Sequence, residues 1–100
     1  MNELEHVPVL LEEALQALKL RENGIYVDAT CGRGGHTRAI LERLGSQGRV
    51  LAFDRDPDAV TAVRQRLATD PRLDLQHAPF SQLQSLLTAR GLHGRVHGIL

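Results

Sequence analysis

Apolar residues recur along this chain with two alternating periods, and the alternation defines its elements. Val7, Leu11, Ala14, Leu15 and Leu18 fall at helical spacing, with Glu12, Glu13, Gln16 and Lys19 on the opposite face. This predicts an amphipathic helix from about Pro8 to Leu20, stopped by Asn23-Gly24. Ile25 to Ala29 is a short, largely apolar run and reads as a strand. A glycine-rich turn follows, then a helix over Thr37 to Leu44 with Ile40, Leu41 and Leu44 on one face, closed by Gly45 and Gly48. Arg49 to Asp54 is the second strand. Asp56-Pro57 opens the next helix, because Asp accepts an orphan backbone N–H at the N-cap and Pro has none to offer at the first helical position. Val60, Val63 and Leu67 mark its inner face. Leu73 to His77, less apolar, is the third strand. Ser81-Gln-Leu-Gln84 fits a capping box that opens a helix with Leu83, Leu86 and Leu87 inward and Gly91 at its end. Val96 to Leu100 begins a fourth strand.

Strands alternating with helices imply right-handed crossovers and a parallel sheet covered on both faces, an α/β fold. The expected strand order is 3-2-1-4. The chain stops at Gly98-Ile99-Leu100, in what reads as a buried strand. Domains seldom end there, so the expectation is the N-terminal part, residues 1–100, of a larger domain, with an exposed edge at strand four.

Composition narrows the picture modestly. Hydrophobic residues at 42% without low-complexity runs indicate a packed core rather than disorder. Twelve basic and twelve acidic residues cancel, so net charge gives no support to nucleic-acid binding, though a local basic patch remains compatible with it. Three aromatics, Tyr26, Phe53 and Phe80, are too few for a base-stacking platform. The single Cys31 has no internal disulfide partner, which suits a reducing cytoplasm. No basic-then-apolar leader is visible at the N-terminus, and no apolar run approaches the roughly 18 residues of a membrane span.

The chemistry gathers where a parallel sheet binds ligands, at the carboxyl ends of its strands. Gly32, Gly34 and Gly35 lie between strand one and the following helix, where they let the backbone approach a ligand. Nineteen residues past Gly35, Asp54 ends strand two and is placed to accept bonds from both hydroxyls of a ribose. A dinucleotide fold expects Gly-x-Gly-x-x-Gly directly after an apolar strand, but here the strand ends in Asp28 and the glycines are spaced differently. A carboxylate at that point would repel a pyrophosphate and suit a cationic group such as the ammonium of a methionine moiety. The electrostatics therefore favour S-adenosylmethionine over NAD.

His6-x-Pro-Val-Leu-Leu-x-Glu-Ala14, Asp28-Ala-Thr-x-Gly-Arg-Gly-Gly-His-Thr37, Asp54-Arg-Asp-Pro57 and Pro79-Phe-Ser81, in that order, resemble the bacterial cytosine-N4-specific methyltransferases of small-subunit (16S) ribosomal RNA. The resemblance runs along nearly the whole chain. It implies a Rossmann-like class I S-adenosylmethionine-dependent methyltransferase fold, in a cytoplasmic enzyme acting on a decoding-centre cytosine of 16S rRNA in the small ribosomal subunit. It places Gly34, Gly35, His36, Asp54 and Phe80 against the methyl donor. Thr30 stands where general class I enzymes carry Gly, a feature that the cytosine-N4 family tolerates. The family's aspartate-containing segment after strand four and its helical substrate-recognition insert would lie past Leu100, and with them the residues that hold the target base. These 100 residues alone are therefore expected to be inactive. Two other readings compete: a non-catalytic nucleotide-binding or interaction module of the same fold, and an NAD-dependent oxidoreductase.

Plainer roles account for several other polar residues. Asp54-x-Asp56-x-Asp58 lacks the glycine and distal glutamate of a calcium loop, and Asp56 is explained as the N-cap. His6, His77, His93 and His97 show no metal-ligand spacing. Cys31 reads as a small packed thiol, and Arg33, Arg38 and Arg55 as solvated charges near the site.

Overall fold

The computed structural model describes residues 13, 15, 16, 19–29, 35–67 and 69–100. Most of the first expected helix lies outside them, as do Thr30, Cys31, Gly32, Arg33 and Gly34. Of that helix, Glu13, Leu15 and Gln16 are helical and Leu15 is buried. The helix is over earlier than the Asn-Gly signal implied: Lys19 already takes a left-handed φ of 51°.

Four strands follow: β1 (Ile25–Asp28), β2 (Arg49–Asp54), β3 (Leu73–His77) and β4 (Gly98–Ile99). They form one parallel sheet in the order β3-β2-β1-β4, as the alternating pattern predicted. Helices α1 (Gly35–Arg43), α2 (Pro57–Leu67) and α3 (Leu83–Ala89) connect them. The side-chain alternation of the strands divides the core in two. Tyr26, Val50 and Ala52 point to one face and pack with Ile40 and Leu41 of α1, Val63 of α2 and Leu15. Val27, Leu51 and Phe53 point to the other and meet Leu87 of α3, flanked by the half-buried Leu83 and Leu86. α1 and α2 thus cover one face and α3 the other. On the α3 face, β3 carries Asp74 and Gln76 rather than apolar residues, which explains its weak hydrophobic signal. Asp74 accepts from the Arg90 guanidinium and from Gln76 Nε2.

The local signals divide into those obeyed and those overridden. Asp58 N–H donates to Asp56 Oδ1 at 2.9 Å, so Asp56 caps α2 with Pro57 as its first residue. Gly91, at φ 68°, closes α3, with Leu92 N donating to Leu87 O at 2.8 Å and Gly91 N to Thr88 O at 3.1 Å. The capping box at Ser81 does not form. Pro79, extended at φ −78° and ψ 160°, turns the chain directly into a 3-10 turn over Phe80–Gln82. Ser81 is therefore already inside helical backbone, and Gln82 precedes α3 without a side-chain cap bond. The fourth strand forms the expected exposed edge: among the described residues β4 pairs only with β1, and Ile99 is 49% exposed. Its ladder extends past the two strand residues, since His97 N donates to Ile25 O and Leu100 N to Val27 O. No helix among the described residues is long and apolar enough to cross a membrane.

Candidate functional site

The register of the sheet brings the singled-out acids to one end. Asp28 closes β1 opposite Ala52, and Asp54 closes β2 opposite His77 of β3. Both are carboxyl-terminal strand positions, where a parallel sheet opens to ligands. Their environments differ sharply.

Asp28 is 1% exposed and points to the face that α1 covers. Its Oδ2 accepts a bond from the Thr37 hydroxyl at 2.6 Å, the short length of a hydroxyl donating to a carboxylate. Thr37 is itself fully buried, in the first turn of α1. Asp28 is therefore built into the base of the loop rather than standing open at its mouth.

Asp54 is half-buried. Asp56 N donates to its Oδ1 at 2.9 Å, which orients the carboxylate, and its own carbonyl accepts from Ala78 N at 3.0 Å. The second bond draws the segment after β3 against the end of β2. His77 reinforces this junction through a 2.9 Å bond between Nε2 and the Arg55 carbonyl. Three residues on, Phe80 stands 56% exposed, with its ring 6.2 Å from the fully buried ring of Phe53 and tilted 25° from it. Phe53 precedes Asp54, so a supported aromatic face and a held carboxylate lie at neighbouring strand ends. An exposed aromatic backed by a buried one is a surface for a planar ring, and the carboxylate beside it is an acceptor for hydroxyls.

Gly35 is the first residue of α1 and His36 the second, two positions earlier than the helix start expected from the pattern. They therefore belong to the helix's first turn, whose N–H groups have no partners within the helix. Gly32 and Gly34 lie outside the described residues. The carboxyl ends of three strands thus carry Asp28, Asp54 and, just past β3, Phe80, while Gly35 and His36 open the helix that follows β1. The fold also gives positions to Thr37 and His77, which the sequence pattern alone does not distinguish. Their signal is topological: Thr37 sits one turn into the helix facing a strand-end acid, and His77 is in register with Asp54. Among the described residues no cluster of His, Cys, Asp or Glu could hold a metal ion.

A parallel sheet of this order, with its polar junction at the carboxyl ends of β1 and β2, is the Rossmann-like architecture shared by solved methyltransferases. Of these, a candidate rRNA-methylase from Clostridium thermocellum superposes with a TM-score of 0.69 at 26% identity, over 75% of this chain and 43% of that one. A candidate methyltransferase from Streptococcus mutans, solved in complex with SAH, superposes with a TM-score of 0.64 at 25% identity, over 79% of this chain and 46% of that one. The chain belongs to the MraW methylase family, whose sequence profile matches residues 3–100. It is 48% identical, over 99% of its length, to the Ribosomal RNA small subunit methyltransferase H of Alteromonas mediterranea, and it spans 31% of that relative.

Proposed function

We propose that the chain is the cofactor-binding, N-terminal part of an S-adenosylmethionine-dependent methyltransferase that modifies the exocyclic N4 of a cytosine in the decoding centre of 16S rRNA. The observation that carries this reading is the junction of Asp54 with Phe80, a held carboxylate beside a supported aromatic face, in a member of the MraW methylase family. Family membership supports a methyl donor in place of a dinucleotide. The 48% identity to a small-subunit rRNA methyltransferase supports the RNA substrate, and the choice of N4 rests on the sequence resemblance.

The residues present fit the methyl donor. Asp54 would receive the ribose hydroxyls, and Phe80 would pack against the adenine. Gly34, Gly35 and His36 would bring the start of α1 to the methionine end. Asp28 would supply negative charge on the side of the ammonium, and Gly32 would let the backbone approach the ligand. When bound, S-adenosylmethionine supplies an electrophilic methyl on its sulfonium. The protein's work is to align a poor nucleophile, since the cytosine amine has its lone pair conjugated with the ring. The groups that hold the base and take its proton belong to a further part of the protein, past residue 100. Working on small ribosomal subunits places the enzyme in the cytoplasm.

The test is calorimetry on the full-length protein with S-adenosylhomocysteine, with NAD as a competitor. Binding that NAD does not displace, weakened at least about 100-fold by Asp54→Ala, is expected from loss of two charge-assisted bonds. Unchanged affinity in Asp54→Ala refutes the site. Nuclease digestion and mass spectrometry of treated small subunits then separate N4-methylcytosine from methylation elsewhere.

A further inference from the structure

A side-chain bond joins the two ends of the loop between β1 and α1. Thr37 Oγ1 donates to Asp28 Oδ2 at 2.6 Å, linking the last residue of β1 to the first turn of α1 across residues 29–36. Both residues are buried, at 1% and 0% exposure, and among the described residues they are the only buried polar or charged ones. A fully buried hydroxyl cannot touch a ligand at the strand ends, so any influence it has on binding passes through Asp28. The bond engages Oδ2 of the carboxylate and so helps set the plane of the whole group. It also fixes where α1 begins relative to β1, and hence where the N–H groups of Gly35 and His36 lie. A misplacement of a fraction of an ångström in such donors is costly, because hydrogen-bond strength falls steeply with geometry.

We propose that Thr37 is a positioning residue for methyl-donor binding: its hydroxyl holds the Asp28 carboxylate and, with it, the start of α1 in the binding geometry. This rests on the cofactor reading above. The rival is a merely structural role, in which the bond satisfies a buried carboxylate and contributes only to folding stability. The two differ in what the folded protein binds.

The experiment measures S-adenosylhomocysteine affinity by calorimetry, and kcat and KM for S-adenosylmethionine on small ribosomal subunits, in the full-length protein well below its Tm. Thr37→Val keeps the shape and removes the donor. It is expected to raise both Kd and KM about tenfold while kcat stays within about twofold, and Thr37→Ser, which restores the hydroxyl, to return both to within about threefold of the original. A Thr37→Val protein that melts earlier but binds with unchanged Kd overturns the proposal, as does Thr37→Ser binding as weakly as Thr37→Val. Should Thr37→Val not fold, Thr37→Ser is compared with Thr37→Cys, whose thiol is a weak donor. The serine variant is expected to bind several-fold tighter, and equal affinities overturn the proposal. Asp54→Ala runs in parallel. If it loses binding while Thr37→Val does not, this inference alone fails; if the unaltered protein binds no S-adenosylhomocysteine, the cofactor reading fails with it.

Discussion

The two ends of the sheet use the same three strands for opposite purposes. At the amino ends, the residues just before β1, β2 and β3 are Gly24, Gly48 and Arg72, and each is locked against its surroundings. A side-chain carbon on Gly24 would lie 2.4 Å from the Tyr26 ring, and one on Gly48 would lie 2.8 Å from the Glu22 carbonyl. Arg72 donates to the Leu41 and Leu44 carbonyls at 2.8 and 2.9 Å, closing the last turn of α1, while Asp70 holds the same guanidinium. At the carboxyl ends the corresponding residues are Asp28, Asp54 and His77, followed by the exposed Phe80. One end spends its contacts on closure. The other gathers polar groups, Asp28 buried on Thr37 and Asp54 half-buried beside the exposed His77, which is the division of labour expected of a parallel sheet that binds at one edge. The comparison makes a definite demand: changes at the amino ends should move stability and spare binding, and changes at the carboxyl ends should do the reverse.

The strongest challenge to that demand is Gly48→Ala. The added carbon would meet Leu44 Cβ at 2.7 Å and the Glu22 carbonyl at 2.8 Å, and the carbonyl is backbone that already accepts from Gly45 N. Overpacking of this kind should cost about 2–3 kcal/mol in urea unfolding. Affinity of the folded protein for S-adenosylhomocysteine should not move. A loss below about 0.5 kcal/mol would show that the amino end is looser than its contacts imply. The mirror experiment is Phe80→Ala. With Phe80 56% exposed, its removal should change stability by less than about 1 kcal/mol, yet weaken S-adenosylhomocysteine about tenfold through loss of the adenine surface. A large stability loss with unchanged affinity would make Phe80 an ordinary packing residue and blur the contrast between the two ends.

How far this division was legible in the sequence depended on the range of the interactions involved. β2 and β3 were readable to the residue because their limits are set by local changes of composition: Gly48 before β2, the acid Asp54 at its end, Arg72 before β3. The Asp56 cap was readable because its bond spans two residues. The strand-end acids were readable as positions, since the alternation of elements fixes at which end of the sheet they lie. Their states were not. That Asp28 is buried on Thr37 depends on how α1 packs over β1, a contact that no periodicity encodes. The same limit explains Ser81. Its four-residue signal was genuine local chemistry, but Pro79 and the bond from Ala78 N to the Asp54 carbonyl start the turn too early for it. The Arg72 clasp was likewise invisible, because it joins the segment before β3 to helix carbonyls 28 and 31 residues away.

The smallest expected effect tests whether the closed end also has a titratable lock. The Arg72 guanidinium donates to the Asp70 carboxylate and holds its pKa below 3.8, with partial burial opposing and the backbone N–H and charge of Arg72 assisting. A carboxylate whose pKa falls on folding adds stability that is complete above the unfolded value of 3.8 and is lost as pH drops through the lower, folded value. Asp70→Asn should therefore cost about 1 kcal/mol or less at neutral pH, since the pair retains some solvent contact, and progressively less below pH 3.8. Asp74, lowered as well because its bonds from Arg90 and Gln76 outweigh its burial, supplies a parallel acid dependence that remains in the variant. The measurement is the difference in Tm between the two proteins across pH 2.5 to 7, which should narrow as the solution is acidified. A constant difference would show that the Asp70 charge contributes nothing. The clasp at the amino end would then rest on the bonds from Arg72 to the Leu41 and Leu44 carbonyls alone.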